Sequence, residues 1–320
     1  MKTPIMNKII SAIRTPLLGG VGGGLLVFLL TACYHDQHEF TSSEYGELPV
    51  GYLTPQLIWD DPADANSAID DIHFTVSGTT VTHNFTDVEA AAEWLQQLPA
   101  GDYDILVTAD MDEPSGYVLT ATGTPAENML TPTAVSLKDA ASSPRQSWYA
   151  VTHVTIREEE ITIAEFRLQR LLPTLTVNVT GVPAGIKVAV AVEQVAESVM
   201  LTEKDANGRH GVIQSAETKA DFGLLPPAAD AATTLRLDSK RLMPTAANQS
   251  RSLLRITTTE ADGTVLTSTA DCPRMELGKY YTMDFKYDEL APYMRFESMT
   301  INDWQEGWTV SGEIINPDGI

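Results

Sequence analysis

The chain has 320 residues, with 21 Lys+Arg against 43 Asp+Glu for a formal net charge of −22, and 43% of its residues are hydrophobic. Such acidity argues against nucleic acid and anionic lipid headgroups as partners, while the apolar content is that of a globular protein rather than a disordered one. With only two cysteines, neither a disulfide framework nor a Cys-based zinc site is available.

Lys2, Lys8 and Arg14 make the amino terminus basic, and Leu17 to Leu30 form an apolar run interrupted by Gly19, Gly20 and Gly22 to Gly24. The run is shorter than the roughly 20 apolar residues that span a bilayer. It reads as the hydrophobic region of a signal peptide over residues 1–32. Its end, Leu30-Thr31-Ala32-Cys33, resembles the lipobox of bacterial lipoproteins. In that motif Leu30 fills a peptidase pocket, Thr31 and Ala32 let the backbone lie extended, cleavage falls between Ala32 and Cys33, and the Cys33 thiol is acylated. Acyl chains contribute about 0.8 kcal/mol per buried CH₂, so several hold a protein on a membrane where one does not.

Without the leader the chain keeps 288 residues and a formal charge of −25, from 18 Lys+Arg and 43 Asp+Glu. Residues 34–137 hold 18 acids and no base, whereas the remainder is −7, a split that predicts two domains with different surfaces. With Cys33 lipidated, Cys272 has no partner in the chain and reads as a buried free thiol.

Residues 33–50 are polar and acidic and read as a tether. His35, Asp36, His38 and Glu39 have metal-ligand chemistry, but an unpacked linker cannot fix ligand geometry and no metal is expected there. Leu53 to Trp59 and Ile72 to Val76 read as strands, the second by its period-2 alternation. Between them Asp60, Asp61, Asp64, Asp70 and Asp71 lack the glycine and distal glutamate of an EF-hand loop, and read as a solvated turn rather than a calcium site. Thr86-Asp87-Val88-Glu89 has the form of a capping box, and Val88, Ala91, Ala92 and Leu95 follow at helical spacing. One short helix is predicted over about 87–97, stopped by Pro99. Further strands are predicted from Tyr103 and over Gly116–Thr120, Ala134–Leu137, Trp148–Ile156 and Ile161–Leu168. In the last two the apolar phase slips between Val151 and Val154 and between Ile163 and Phe166, as a β-bulge would produce.

At Arg170-Leu171-Leu172-Pro173 the pattern restarts, which divides the chain into domains of residues 51–170 and 171–320. Leu175, Val177 and Val179 alternate with polar residues, and so do Ile186, Val188, Val190 and Val192. Leu98-Pro99-Ala100-Gly101 and Val182-Pro183-Ala184-Gly185 hint at a repeat of one sandwich type. Asn207-Gly208 and Asp262-Gly263 are signals for tight primed hairpin turns. Tyr281, Met283, Phe285 and Tyr287 mark the clearest strand of the chain. Many short strands with almost no helix predict an all-β protein of two tandem β-sandwiches, with one short helix in the first.

No phosphate loop, G-x-S-x-G elbow or paired-histidine metal motif occurs, and the acids are too numerous for any pair to stand out as a glycosidase dyad. Neither an enzyme nor a cofactor is indicated. His73, His83, His153 and His210 stand singly, as structural histidines do. Trp59, Trp94, Trp148, Trp304 and Trp308 read as core residues or as carbohydrate-stacking platforms.

Cys33, the Leu98-Pro99-Ala100-Gly101-Asp102-Tyr103 turn and strand, Gly278-Lys279-Tyr280-Tyr281, and the terminal Ile301-Asn302-Asp303-Trp304-Gln305-Glu306-Gly307 segment together resemble the fimbrium-anchoring and minor-subunit lipoproteins of the Bacteroides-type, fimbrillin-like pilus system. The resemblance implies two transthyretin-like β-sandwiches, lipid anchorage to the outer membrane at the cell surface, and a structural role at the base of a fimbrium or as an accessory part of it. Fimbrial subunits are the implied partners, engaged by strand addition through a sheet edge or through the segment containing Ile301, Trp304 and Trp308. In the family's stalk subunits an arginine-specific protease removes an amino-terminal segment. Here no Lys or Arg lies between residues 15 and 137, so no such site follows Cys33, which suits an anchor. Arg145 and Arg170 come too late to free a first strand, and Arg170 is a candidate cleavage point between domains. The reading from another class is a surface glycan-binding lipoprotein.

Overall fold

Alternating, β-branched sequence builds nearly every element of the computed structural model, which describes residues 48–124, 129–229, 231–288, 293–302 and 307–310. The first half comprises β1 (Val50–Trp59), a 3₁₀ turn (Pro62–Asn66), β2 (Ile72–Val76), β3 (Thr82–Phe85), α1 (Val88–Ala92), β4 (Gln96–Pro99), β5 (Gly101–Ala109), β6 (Tyr117–Ala121), β7 (Thr133–Leu137), β8 (Trp148–Ile156) and β9 (Ile161–Arg170). The second comprises β10 (Thr174–Thr180), β11 (Lys187–Ala196), β12 (Ser198–Lys204), β13 (His210–Ile213), β14 (Glu217–Leu224), β15 (Pro227–Ala228), β16 (Ala231–Arg241), β17 (Leu253–Thr259), β18 (Val265–Asp271), β19 (Tyr280–Asp288), β20 (Tyr293–Asn302) and β21 (Gly307–Val310).

Seven strands bond in the order β3-β2-β5-β8-β9-β1-β4. β8 and β9 pair at Trp148↔Arg170 and Tyr149↔Gln169, and the two wings on either side of that corner enclose one core. Leu53, Ile72, Phe74, Ile105, Val107, Trp148, Phe166 and Leu168 fill it, with the Phe74 ring edge-on to Phe166 at 5.5 Å. Each such side chain contributes about 1.5–3 kcal/mol by leaving water. In the second half, sheets β15-β16-β10-β19-β20-β21 and β14-β11-β17-β18 close over Val177, Val179, Val188, Val190, Leu254, Ile256, Met283 and Phe285. The architecture is the all-β one expected, two tandem transthyretin-like sandwiches with one short helix in the first.

A fourth sheet, β13-β12-β7-β6, joins strands from both halves through Ser198↔Ser136, Val199↔Val135 and Met200↔Ala134. Its presence explains the apparent phase slip in β8. Trp148, Ala150, Val154 and Ile156 face the first core, while Tyr149 and Val151 face the other core, so both sides are apolar without any bulge. The β5–β8 register runs unbroken from Gly101↔Ile156 to Ala109↔Trp148. In β9, Ile163 is simply exposed, and the register with β1 is also continuous.

Three local expectations are corrected. Asp87, not Thr86, caps α1, its carboxylate accepting from the Ala90 N–H at 2.7 Å. The helix ends at Ala92 because Gln96–Pro99 is drawn into β4 against β1, which buries Leu98 completely. At both hairpins only the glycine is left-handed, Gly208 at φ 79° and Gly263 at φ 90°. Gly208 N–H donates to Asp205 O and Gly263 N–H to Glu260 O, which makes these three-residue loops with a glycine bulge rather than two-residue primed turns.

Candidate assembly interface

β20 lies antiparallel to β19 from Tyr280↔Asn302 to Asp288↔Tyr293, and β21 continues the sheet from Met299↔Val310 to Asn302↔Gly307. Ile301 therefore stands opposite Tyr281 on one side and Trp308 on the other. Two of the three expected contact residues are brought together, and Trp304 lies outside the described residues. So do Ala32 and Cys33 with the whole leader, and the His35 to Glu39 cluster. Among the described residues β21 ends its sheet, and an edge strand presents backbone groups to which another strand can hydrogen-bond.

β6 ends a sheet as well. The Thr122 N–H donates to Pro132 O, and Gly116 O accepts from the Lys138 N–H. By the alternation of an antiparallel ladder, even-numbered residues of β6 bond to β7 and the backbone groups of Leu119 and Ala121 point outward. Val118 and Leu119 are 40% and 41% exposed, and neither a charge nor a proline guards the strand. β14, by contrast, carries Glu217, Lys219 and Asp221 with two register shifts, and β15 is two residues long and opens with Pro227.

The Asp60–Asp71 stretch is a turn, as expected, but it is not solvated throughout. Asp61 caps the 3₁₀ turn, which places Asp64 at 4% exposure. The Asp64 carboxylate accepts from Trp148 Nε1 at 2.8 Å and from Arg170 Nη2 at 2.6 Å. Arg170 Nη1 also reaches Asp61 at 2.7 Å, and its guanidinium lies 5.0 Å from the centroid of the Tyr280 ring. Burial alone would weaken the charged guanidinium, but the Asp64 hydrogen bond and the two carboxylates outweigh it and raise its pKa. A protease cannot take this side chain from the folded protein, which removes Arg170 as an accessible cleavage point. The signal for the turn was in the sequence, an Asp N-cap directly before Pro62; its buried partners were not.

A second acidic group surrounds Asp110, 1% exposed and left-handed at φ 49°. Its Oδ1 accepts from the Asp70 and Asp71 N–H groups, and Arg145 sits beside Asp70 at 2.7 Å. Burial, opposed by those backbone hydrogen bonds, raises the Asp110 carboxyl; burial and then the neighbouring Asp112 charge raise Asp71. Burial lowers His210 and pushes the Cys272 thiol up to about 12, so the free cysteine is inert. Among the described residues no group of three or more His, Cys, Asp or Glu is arranged to hold a metal.

Three of the five tryptophans are accounted for by packing. Trp148 is 2% exposed, Trp59 meets it edge-on at 5.3 Å, and Trp94 lies 5.1 Å from Phe74. A cleft of about 280 Å³ between β8–β9 and the β12–β13 turn is lined by Thr152, Glu165, Arg167, Arg209 and His210. Its tyrosine, Tyr149, is 2% exposed and offers no face for a sugar.

The sequence model of a family described as fimbrillin-A associated anchor proteins Mfa1 and Mfa2 matches residues 70–309. No curated protein matches the chain in sequence. Among solved structures, a candidate adhesin from Bacteroides thetaiotaomicron is 12% identical, with 84% of this chain and 99% of that one covered and a TM-score of 0.51. The fimbrial anchor protein Mfa2 from Porphyromonas gingivalis is 13% identical, with 81% and 98% covered and a TM-score of 0.50. A candidate polysaccharide-binding protein from Bacteroides thetaiotaomicron is 11% identical, with 82% and 98% covered and a TM-score of 0.52. At these identities the likeness is one of fold.

Proposed function

We propose, from the premise that the chain belongs to the family of fimbrillin-A associated anchor proteins Mfa1 and Mfa2, that it is an outer-membrane lipoprotein and a structural subunit of a fimbrium, as its membrane anchor or an accessory part. Cys33 carries the lipid after cleavage behind Ala32, residues 33–50 form the tether, and two sandwiches divided near residue 170 follow. The carboxyl-terminal side holds a fimbrial subunit by strand addition. The observation that carries this contact is β21, a short strand at the end of a six-stranded sheet. A strand added there gains backbone hydrogen bonds of about 0.5–1.5 kcal/mol net each, and side-chain pockets supply selectivity.

Deleting residues 307–320 is expected to abolish co-purification with the fimbrial subunit; full recovery of the complex overturns the contact. A Cys33→Ala protein is expected in the medium together with whatever is built on it. Its retention in the membrane fraction after a salt wash refutes the anchor. The outward backbone groups and exposed Val118 and Leu119 of β6 favour a second docking edge. There Leu119→Pro removes an outward donor while leaving the β7 ladder whole, so loss of the partner in that variant, with the 307–320 deletion silent, assigns the contact to β6 instead.

A further inference from the structure

We propose that each sandwich is built as a shear clamp, so that the chain resists tension applied between its two ends. Among the pairings described, only two ladders are parallel: β1 with β9, from Tyr52↔Ile161 to Trp59↔Leu168, and β10 with β19, from Thr174↔Tyr280 to Thr180↔Lys286. In both cases the first strand of a half lies beside its last long-range partner in the path of the chain. Tension enters β1 at its amino-terminal end and leaves β9 at its carboxyl-terminal end, Arg170, so the two parallel strands are pulled in opposite directions along their common axis. Every bond across the eight registered pairs must then stretch together.

The same force passes through Leu171 to Pro173 into the amino-terminal end of β10 and leaves through the carboxyl-terminal end of β19, which shears a further seven pairs. An antiparallel hairpin pulled at its two ends instead opens one bond at a time. β20 and β21 are of that kind and peel first, after which the load reaches β19.

Two details fit a continuous first ladder. Tyr52 N–H donates to Glu160 O at 2.8 Å and Asp60 N–H to Leu168 O at 3.0 Å, so the even-numbered N–H groups of β1 point toward β9. Pro55, which has no N–H, falls on the opposite side, beyond the last β4 pair at Leu53↔Gln96, and costs the ladder nothing. Between the clamps, Arg170 binds the 3₁₀ turn that follows β1 and stacks on Tyr280, the residue registered with Thr174. The point where one ladder hands force to the next is therefore itself held.

The usefulness of such clamps rests on the anchor reading above, but their existence can be tested without a partner. Single-molecule force spectroscopy on the full chain, with handles at its two ends, is expected to give two strong unfolding events. Moving the second handle to an Asp262→Cys site at the β17–β18 turn keeps β1–β9 on the force path but takes β19 off it, and is expected to leave one strong event and weaken the other several-fold. The same folded state is pulled in both cases, so stability alone predicts no difference. Two equally strong events along both axes overturn the proposal. Gln56→Pro, which deletes an N–H aimed at β9, is expected to weaken one of the two strong events and spare the other. Unchanged forces in a folded Gln56→Pro protein likewise overturn it. Full fimbrial binding by the protein lacking residues 307–320, with intact anisotropy, refutes the partner contact and leaves the clamps standing.

Discussion

Replacing Arg170 by methionine tests the buried charge cluster most directly. The side chain is 8% exposed and makes hydrogen bonds of 3.1 and 2.6 Å to Asp64 and an ion pair of 2.7 Å to Asp61. Asp61, at 18% side-chain exposure, recovers water when the guanidinium is lost. Asp64, at 4%, does not, and retains only the Trp148 indole as a side-chain donor. Stranding one partner of a buried pair costs about 3–5 kcal/mol. At roughly 2–4 °C per kcal/mol for a chain of this size, the melting temperature should fall by about 6–20 °C. Urea titration at neutral pH measures the loss. Because the cost comes from the stranded carboxylate rather than from the missing arginine, adding Asp64→Asn to Arg170→Met should return part of it. A loss below about 1 kcal/mol for Arg170→Met, or no recovery in the double variant, refutes the account.

Limited trypsin digestion of the native protein should yield no early fragment ending at Arg170, since Leu171 is fully buried and its N–H is bonded to Ser147 O; such a fragment appearing before general unfolding would contradict the packing. Asp71→Asn should stabilise the protein at neutral pH. The folded carboxyl has a raised pKa, so its ionisation opposes folding above that pKa, and the gain should vanish as pH falls through it to below the ordinary value of about 3.9. Urea midpoints at pH values on both sides of that window check the sign. Gly211→Ala should destabilise strongly, because the residue is at φ +94° and an added Cβ would stand 2.1 Å from the Tyr149 hydroxyl. A melting temperature equal to that of the parent would show that β13 yields more easily than its contacts imply.

The sequence read well where one face of a strand alone was apolar. Tyr281, Met283, Phe285 and Tyr287 in β19, and Ile72, Phe74 and Val76 in β2, announce their sheets by alternation, and all seven are buried as expected. It misled where both faces are covered. β8 looks irregular only because Val151 meets a core built largely from residues far ahead of it in the chain. The capping box failed by one residue because two adequate caps, Thr86 and Asp87, stand side by side, and it is Asp87 whose carboxylate accepts from the Ala90 N–H. Asp64 and Arg170 lie 106 positions apart, and nothing in local composition links an acid beside a proline to an arginine at the end of a distant strand. The contact segment near Ile301 was singled out by the resemblance alone, and both its strands and their place at a sheet's end depend on pairings that only the fold supplies.

The core shared between the halves makes a claim about cooperativity. Leu106, Met111, Tyr117, Val135 and Tyr149 belong to the first half of the chain yet pack in one cluster with Val188, Val199 and Leu254 of the second. β7 and β12 are joined through the backbone, Tyr149 donates to His210 O at 3.0 Å, and Arg241 donates to Pro144 O at 2.7 Å. Unfolding either half would strip apolar surface from the other at about 25 cal/mol per Å², so at equilibrium, with no load applied, neither should open alone. With Trp304 and Trp308 replaced by phenylalanine, the remaining Trp59, Trp94 and Trp148 all report on the first sandwich, whereas far-UV circular dichroism reports on strands throughout. The two signals should therefore change together in a single urea transition. If the tryptophan signal moved at a clearly lower urea concentration, the halves would be independent bodies and the shared sheet a contact too weak to couple them.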